Sequence, residues 1–479
     1  MILCPSTKIY VGPPGCGKTT TLIKRVVSLL EAGVPPENIG YVSFTRQAMR
    51  EAMGRIVAKT GLSRDRFPYF RTLHSMAYHL LGASFDTIVR PEEVAAGGDE
   101  NTWLPEESEL FSHLYNYHRV TGMSLAEVWE LNYSPAFSGT EDDFLRWVAK
   151  YKTYKQVSQK LDFTDMLEEY VRKKPYLPFD WLFVDEGQDL TPTQWKMVQI
   201  LAQNADNLVI AGDPDQSIFA WAGADGDMLE RITGEREVLS QSYRVPKAVH
   251  IIAERILKAT GREILYTPTP EAGSLEWCTG DEPYQLDYTK DSWYILARNN
   301  YYLKNISAHL YHTGTWYSHL GATSKNAANT KQYIRLIDGY GRWLTDEQRS
   351  MPQDLETACS RPKTCKAKGT PWPEAFDLWP VERTAYLLNT VNEWDSDRVQ
   401  VGTFHAAKGG EADNVVLLGD TTYKIAESLR QGSIQELRAL YVAVTRAKKR
   451  LYIVEKTRGS GISWNTFINI PQDLTNGLL

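Results

Sequence analysis

The chain has 479 residues, too many for one ordinary hydrophobic core, so length alone argues for about two to four domains. With 42% hydrophobic and 23% charged residues, and no apolar run near the ~20 residues that span a bilayer, the composition excludes a membrane protein and fits a soluble globular one. A net charge of −6 argues against a protein that coats nucleic acid by bulk charge, and leaves a local groove open.

The opening MILCPSTKIYVG is too short, and too soon followed by glycine, to read as a secretory signal. Five cysteines, at 4, 16, 278, 359 and 365, include no CxxC pair. They read as free thiols in a reducing cytosol rather than as a disulfide framework or a zinc site.

Short apolar strands that end in polar loops and lead into helical patterns organise the chain. In STKIYVGPPGCGKTTTLIKRVVSLLEAG, Ile9, Tyr10 and Val11 form a strand, Leu22, Val26, Leu29 and Leu30 recur at helical spacing, and Gly33 closes the helix. NIGYVSFTRQAMREAMGRI, FDWLFVDEGQD and DNLVIAGDPDQ repeat this form, and SWYILARNN, RVQVGTFHAAKGG, NVVLLGD and KRLYIVEK make a second set. Strands alternating with helices predict parallel sheets covered on both faces. Two sets, each with binding loops at its strand C-termini, predict two α/β domains meeting across a cleft. The first domain is expected over 1–84 and 166–225, and the second over 226–322 and 396–479. Residues 85–165, acidic, aromatic-rich and helical in pattern, read as one insertion, and residues 323–395 as a shorter second one. RPKTCKAK within the latter is either a solvated basic loop or a phosphate-binding patch.

GPPGCGKT, Gly12 to Thr19, fits G-x-x-x-x-G-K-[ST] between a strand and a helix. Its backbone (Gly12, Pro13, Pro14, Gly15, Cys16, Gly17) would turn N–H groups onto phosphate oxygens at a helix N-terminus. Lys18 would reach the β- and γ-phosphates and Thr19 would hold Mg²⁺. Such a loop needs a metal carboxylate on a neighbouring strand, and WLFVDEGQDL supplies Asp185 for that, with Glu186 placed to orient or deprotonate water. These residues point to an NTP hydrolase. AGDPDQSIFAWAGAD is odd for a polar loop, because Phe219 and Trp221 must either be buried or await something flat.

Taken in order, GPPGCGKTT, VSFTRQAMREAM, RTLHSMAYHLL, VDEGQDLTPTQ, AGDPDQSIFAWAGAD, LSQSYRVP, VGTFHAAKGGEADNVVLL and LRALYVAVTRAKKRLYIV resemble the UvrD/Rep-like superfamily 1 DNA helicases. The resemblance covers both α/β domains and not the insertions. It implies tandem RecA-like P-loop NTPase domains, each with a mainly helical insertion, that clamp ATP and Mg²⁺ between them and move along single-stranded DNA. It makes Gln216 a γ-phosphate sensor, Arg244 and Arg446 cations reaching that phosphate from the second domain, Tyr243 a base-stacking ring, and Glu411 an acceptor for the ribose hydroxyl. On the DNA it places Phe44, Thr45, Arg46, Thr72, His74, Phe219, Trp221, Arg298, Thr403 and His405. Stacking suits a track reader because every base has a π-face.

Three departures stand out. No glutamine precedes the P-loop, Thr20 stands where the family commonly has an adenine-covering arginine, and Ala222 follows Trp221 where arginine is usual. The first two bear on base recognition, so hydrolysis of GTP or CTP beside ATP is expected. The short second insertion, and the absence of a long extension after LYIVEK, suggest a near-minimal motor in a cytoplasmic, nucleoid-associated setting, or in a host cytoplasm if phage-encoded. The expected partners are single-stranded DNA, single-strand/duplex junctions and a replication or repair protein, with no membrane. QSIFAW and TFHAAKGGE look like the 3′-to-5′ branch. A translocase that strips proteins or drives a partner, and a nucleotide-gated binding switch, are the alternatives.

Overall fold

The computed structural model describes residues 4, 6–89, 93, 105–132, 139–177, 179–203, 205–262, 266–313, 315, 317–321, 398–457 and 459–464. The expected second insertion, with RPKTCKAK, Cys359 and Cys365, lies outside the described residues. The chain divides into two compact units, Met1–Tyr243 with Leu265–Thr267, and Arg244–Ile264 with Pro268–Leu479.

Unit 1 is built on a six-stranded sheet of β1 (Ser6–Val11), β2 (Ile39–Ser43), β3 (Phe70–Thr72), β4 (Trp181–Asp185), β5 (Asn207–Gly212) and β6 (Glu235–Val238), in the order β3-β2-β4-β5-β1-β6. Every pairing is parallel. Alternate residues of one strand serve two cores, as the two-residue side-chain period requires. Ile9, Val42, Val184 and Ile210 lie in one, and Tyr10, Tyr41, Phe183 and Val209 in the other. Helices α1 (Lys18–Glu31), α2 (Arg46–Thr60) and α3 (Leu73–Leu80) follow the first three strands. The following segment forms α4 (Pro105–Thr121), α5 (Leu125–Asn132), α6 (Glu141–Ser158) and α7 (Phe163–Lys173), the last running past residue 165, where the expected insertion ended. Phe111, Leu114, Trp129, Phe144 and Trp147 give it a separate aromatic core. Helices α8 (Pro192–Ala202) and α9 (Met228–Arg231) complete the unit.

Residues 226–243, expected with the second domain, lie in unit 1. The reason is hydrogen bonding: β6 runs parallel to β1, with Lys8 opposite Glu235 and Val11 opposite Val238. Lys8 also pairs with Glu235 and Glu237.

Unit 2 repeats the architecture. Its sheet contains β7 (Ser274–Cys278), β8 (Trp293–Ala297), β9 (Ser318–His319), β10 (Val399–Thr403), β11 (Ala412–Leu418) and β12 (Ala447–Val454), all parallel, in the order β7-β12-β11-β8-β10-β9. Helices α10 (Lys247–Ala259), α11 (Lys304–His312), α12 (Tyr423–Arg430) and α13 (Ile434–Val444) accompany it. Here too alternate residues split between two cores, with Leu296, Val415 and Leu451 in one and Ile295, Val416 and Tyr452 in the other.

Candidate nucleotide site and nucleic-acid face

In unit 1 parallel pairing sends all strand C-termini to one edge, and most sequence-predicted residues gather there. Val11 stands opposite Gly212, and Ser43 opposite Asp185. The loop after β1 therefore sits beside the ends of β4 and β5. Gly15 and Gly17 take positive φ, 72° and 85°, which glycine adopts without a Cβ penalty. Gly17 is the cap from which α1 starts, so the helix N-terminus faces the loop. A Cβ on Gly12 would fall 2.6 Å from both Cys16 Sγ and the Leu239 carbonyl oxygen, which accounts for glycine at that place.

The Lys18 ammonium is buried and donates to the carbonyls of Gly12 at 2.6 Å and Pro13 at 3.1 Å. Thr19 Oγ1 donates to Asp185 Oδ2 at 2.8 Å, and the Tyr41 hydroxyl donates to the same oxygen at 3.0 Å. Burial, with Glu186 beside it, pushes the Asp185 carboxyl up to about 6, against the pull of Thr19, Tyr41 and Lys18. A buried acid raised in this way and touching a threonine hydroxyl is a hard oxygen pair that a divalent cation would relieve, so Thr19 and Asp185 fit Mg²⁺. Thr20 Oγ1 accepts from Arg55 Nη2 at 2.7 Å, which brings a guanidinium from α2 to the edge of the loop.

The segment after β6 is strapped onto the P-loop. Leu239 N–H donates to Val11 O at 2.8 Å, Ser242 Oγ to Pro14 O at 2.8 Å, and Tyr243 N–H to Gly15 O at 2.8 Å. The Tyr243 ring is left 76% exposed beside that loop.

Glu186 adopts left-handed backbone, φ 57° and ψ 44°, unusual for a residue with a side chain. Its carboxylate accepts from Gln188 Nε2 at 2.5 Å. Gln216 is buried and donates through Nε2 to Asp213 Oδ2 at 2.6 Å. From Gln216 the chain continues to the aromatic pair. Phe219 lies between Phe44, at 5.4 Å between ring centroids, and Trp221, at 6.4 Å. Trp221 is 56% exposed, with His113 of α4 stacked on it at 6.0 Å. Gly223 seats this loop on α4, where a Cβ would run into Val120. So Phe219 is a packed support, while Trp221 presents an open face.

The other unit 1 candidates line the same edge, at the ends of β2 and β3. Thr45 and Thr72 cap α2 and α3, accepting from the Ala48 and Ser75 amides at 3.1 and 3.3 Å. Arg46 opens α2 and is exposed. His74 is held neutral, its pKa lowered to about 4 by burial and by the nearby Arg46 charge. Phe163, not singled out from sequence, meets His74 edge-on at 6.1 Å and is 53% exposed. An apolar residue directly after the Asp162 cap, on a helix whose buried face holds Met166, Leu167 and Tyr170, was the available signal.

Unit 2 corrects one expectation. Its predicted residues do not all lie at strand C-termini. Arg298 follows β8 and Thr403 ends β10, whereas Glu411 and Arg446 immediately precede β11 and β12. Because the strands are parallel, the chain leaving β10 must return to the opposite edge before β11 begins. Residues 404–411 make that crossing. Arg244 and Glu411 form an ion pair at 2.6 Å. Burial pushes the Glu411 carboxyl up, yet Arg244, Lys448 and Arg446 together hold it below its usual range. Arg446 is buried, donating to Val442 O at 2.9 Å and Gly410 O at 3.1 Å. Arg298 is tied to Glu436 by two bonds, 2.7 and 2.8 Å. Thr403 Oγ1 accepts from the Ala406 amide at 3.2 Å, and His405 is half-buried in the same turn.

Two doubly covered parallel sheets, the first carrying a P-loop with a carboxylate at a neighbouring strand end, define a tandem RecA-like P-loop NTPase. Residues 3–236 match the UvrD/REP helicase N-terminal domain and residues 376–458 the UvrD-like helicase C-terminal domain, and the chain belongs to this UvrD/Rep-like superfamily 1 family. It is 26% identical over 372 residues to the ATP-dependent DNA helicase PcrA of Bacillus subtilis, covering 67% of this chain and 50% of that protein. It is 26% identical to the putative ATP-dependent DNA helicase YjcD of the same organism, covering 54% and 37%. With PcrA of Staphylococcus aureus (strain COL) it shares 29% identity over 51% of this chain and 37% of that one. The chain thus spans about half or less of the length of these curated relatives. Among the described residues, no helix is long and apolar enough to cross a membrane.

Proposed function

We propose that this chain is a DNA-stimulated ATPase that moves 3′ to 5′ on single-stranded DNA and uses hydrolysis to separate strands. The observation that carries the reading is one continuous loop. It begins at Asp213 and Gln216, beside the P-loop residues and Glu186, and ends at the open ring of Trp221. Membership of the UvrD/Rep-like family and the similarity to the ATP-dependent DNA helicase PcrA support the same reading.

In this mechanism the P-loop amides and Lys18 bind the phosphates, with Lys18 exchanging its bonds to Gly12 and Pro13 for phosphate oxygens. Thr19 and Asp185 would hold Mg²⁺, which would neutralise phosphate charge when bound. Glu186 orients the attacking water and accepts its proton, and Gln216 contacts the γ-phosphate. Arg244 and Arg446 supply positive charge to the transferring phosphoryl group. Tyr243 stacks on the base and Glu411 accepts from the ribose. Trp221, Phe163, Phe44, Arg46, Thr45, Thr72, His74, Arg298, Thr403 and His405 face the DNA track, with Phe219 propping Trp221 from behind and stacking on the open rings giving sequence-tolerant grip.

The test is ATP-dependent displacement of matched duplexes bearing a 3′ or a 5′ single-stranded tail, with Lys18→Ala as control. Displacement from the 3′ tail alone is expected. Displacement from the 5′ tail alone would reverse the polarity. ATPase stimulated by single strands without displacement would make the chain a translocase.

A further inference from the structure

We propose that Gln188 is a positioning residue that ties the track-facing loop to Glu186, so that engagement of the loop sets the geometry of the hydrolytic carboxylate. The proposal rests on the ATPase reading above. Gln188 is fully buried, and both ends of its carboxamide are committed. Nε2 donates to Glu186 Oε2 at 2.5 Å, with a long contact of 3.5 Å to Asp189 Oδ2. Oε1 accepts from the Asp213 amide at 2.9 Å. Asp213 in turn holds Gln216 at 2.6 Å, and the Gln188 carbonyl accepts from Ser217 Oγ at 3.1 Å.

One side chain therefore joins the end of β4 to the loop after β5. That loop runs four residues from Ser217 to Trp221, so a displacement at the aromatic end is passed to residues hydrogen-bonded to Gln188. Gly212 makes room for the link, since a Cβ there would lie 2.7 Å from Gln188 Oε1. The carboxamide suits this role because it donates at one end and accepts at the other. Were Gln188 only satisfying the buried Asp213 amide, any acceptor would serve, and a donor turned onto Glu186 would be unnecessary. The strained backbone of Glu186 makes its orientation dependent on such support.

Gln188→Glu keeps the shape and the acceptor for Asp213 while replacing the donor with a like charge against Glu186. Gln188→Met keeps the volume and removes both bonds. Each is compared with wild type and Glu186→Gln by steady-state and single-turnover ATP hydrolysis, with and without oligo(dT), and thermal unfolding tests folding. A loss of ~10–10²-fold in DNA-stimulated kcat is expected, with KM for ATP and Kd for oligo(dT) within about threefold of wild type. Added to Glu186→Gln, either substitution should cost nothing further, because Gln188 acts through that carboxylate. A further loss in the Glu186→Gln background, or an equal rise in KM, would make Gln188 a packing residue. Wild-type stimulation by oligo(dT) in both folded variants would also overturn the role while leaving the ATPase reading intact. A wild-type chain with no ATP hydrolysis would remove both.

Discussion

Arg244 and Glu411 are bound to each other, Nε to Oε2 at 2.6 Å, although they are 167 residues apart in sequence. The resemblance assigns the first to phosphate and the second to ribose, so one nucleotide would have to engage two residues already paired. Pairing through Nε keeps the planar guanidinium in place, and its fork geometry matches phosphate oxygens.

This arrangement makes Arg244→Lys a non-conservative change. Lysine retains the charge and loses the planar fork, and kcat should fall substantially, though less than for Arg244→Ala, where loss of a phosphate-directed arginine costs ~10³–10⁵. Steady-state ATPase assays on both variants check this; equal activity of lysine and arginine would remove the directional role.

Trp221 and Phe219 should separate by phenotype. Trp221 is open, so Trp221→Ala should leave thermal stability near wild type and weaken single-stranded DNA by ~1–3 kcal/mol, read as a higher concentration for half-maximal ATPase stimulation. Phe219, flanked by Phe44 and Trp221, should lower the unfolding midpoint when changed to alanine. If Trp221→Ala lowers basal and stimulated turnover equally, the ring is a packing group.

His74 gives a pH dependence whose sign follows from its depressed pKa. It is neutral in the folded chain down to about 4, whereas its ordinary value is 6.5. The unfolded state therefore takes up the proton first, and the stability contributed by neutral His74 is present above 6.5 and lost as pH falls towards 4. Unfolding midpoints measured across that window should fall less steeply for His74→Gln than for wild type. Because the ring is uncharged at neutral pH, the same variant should leave the salt slope of DNA binding unchanged.

Base preference should be relaxed. Thr20 holds the position where an arginine is common, with Arg55 bonded to its hydroxyl. GTP or CTP should be hydrolysed measurably beside ATP. An ATP preference of a hundredfold or more in kcat/KM would count against this, and Arg55→Ala would then test whether the guanidinium arriving from α2 restores selectivity.

Much of this molecule is local in origin and so was readable in the chain. Gly15 and Gly17 permit a turn that few other residues can make, Lys18 and Thr19 follow it at fixed distance, and the alternating apolar strands predict covered parallel sheets. What sequence order could not supply was the meeting of distant elements. Parallel pairing puts Asp185 beside Thr19, and the buried carboxamide of Gln188 joins Glu186 to Asp213, because strands 4 and 5 end at the same edge. The return of residues 404–411 across the second sheet separates Thr403 from Glu411 for the same geometric reason. Whether an aromatic ring supports or presents depends on its neighbours in space. Phe44 is beside Phe219 and His113 beside Trp221 only after folding, and that tertiary packing makes one ring a prop and leaves the other open.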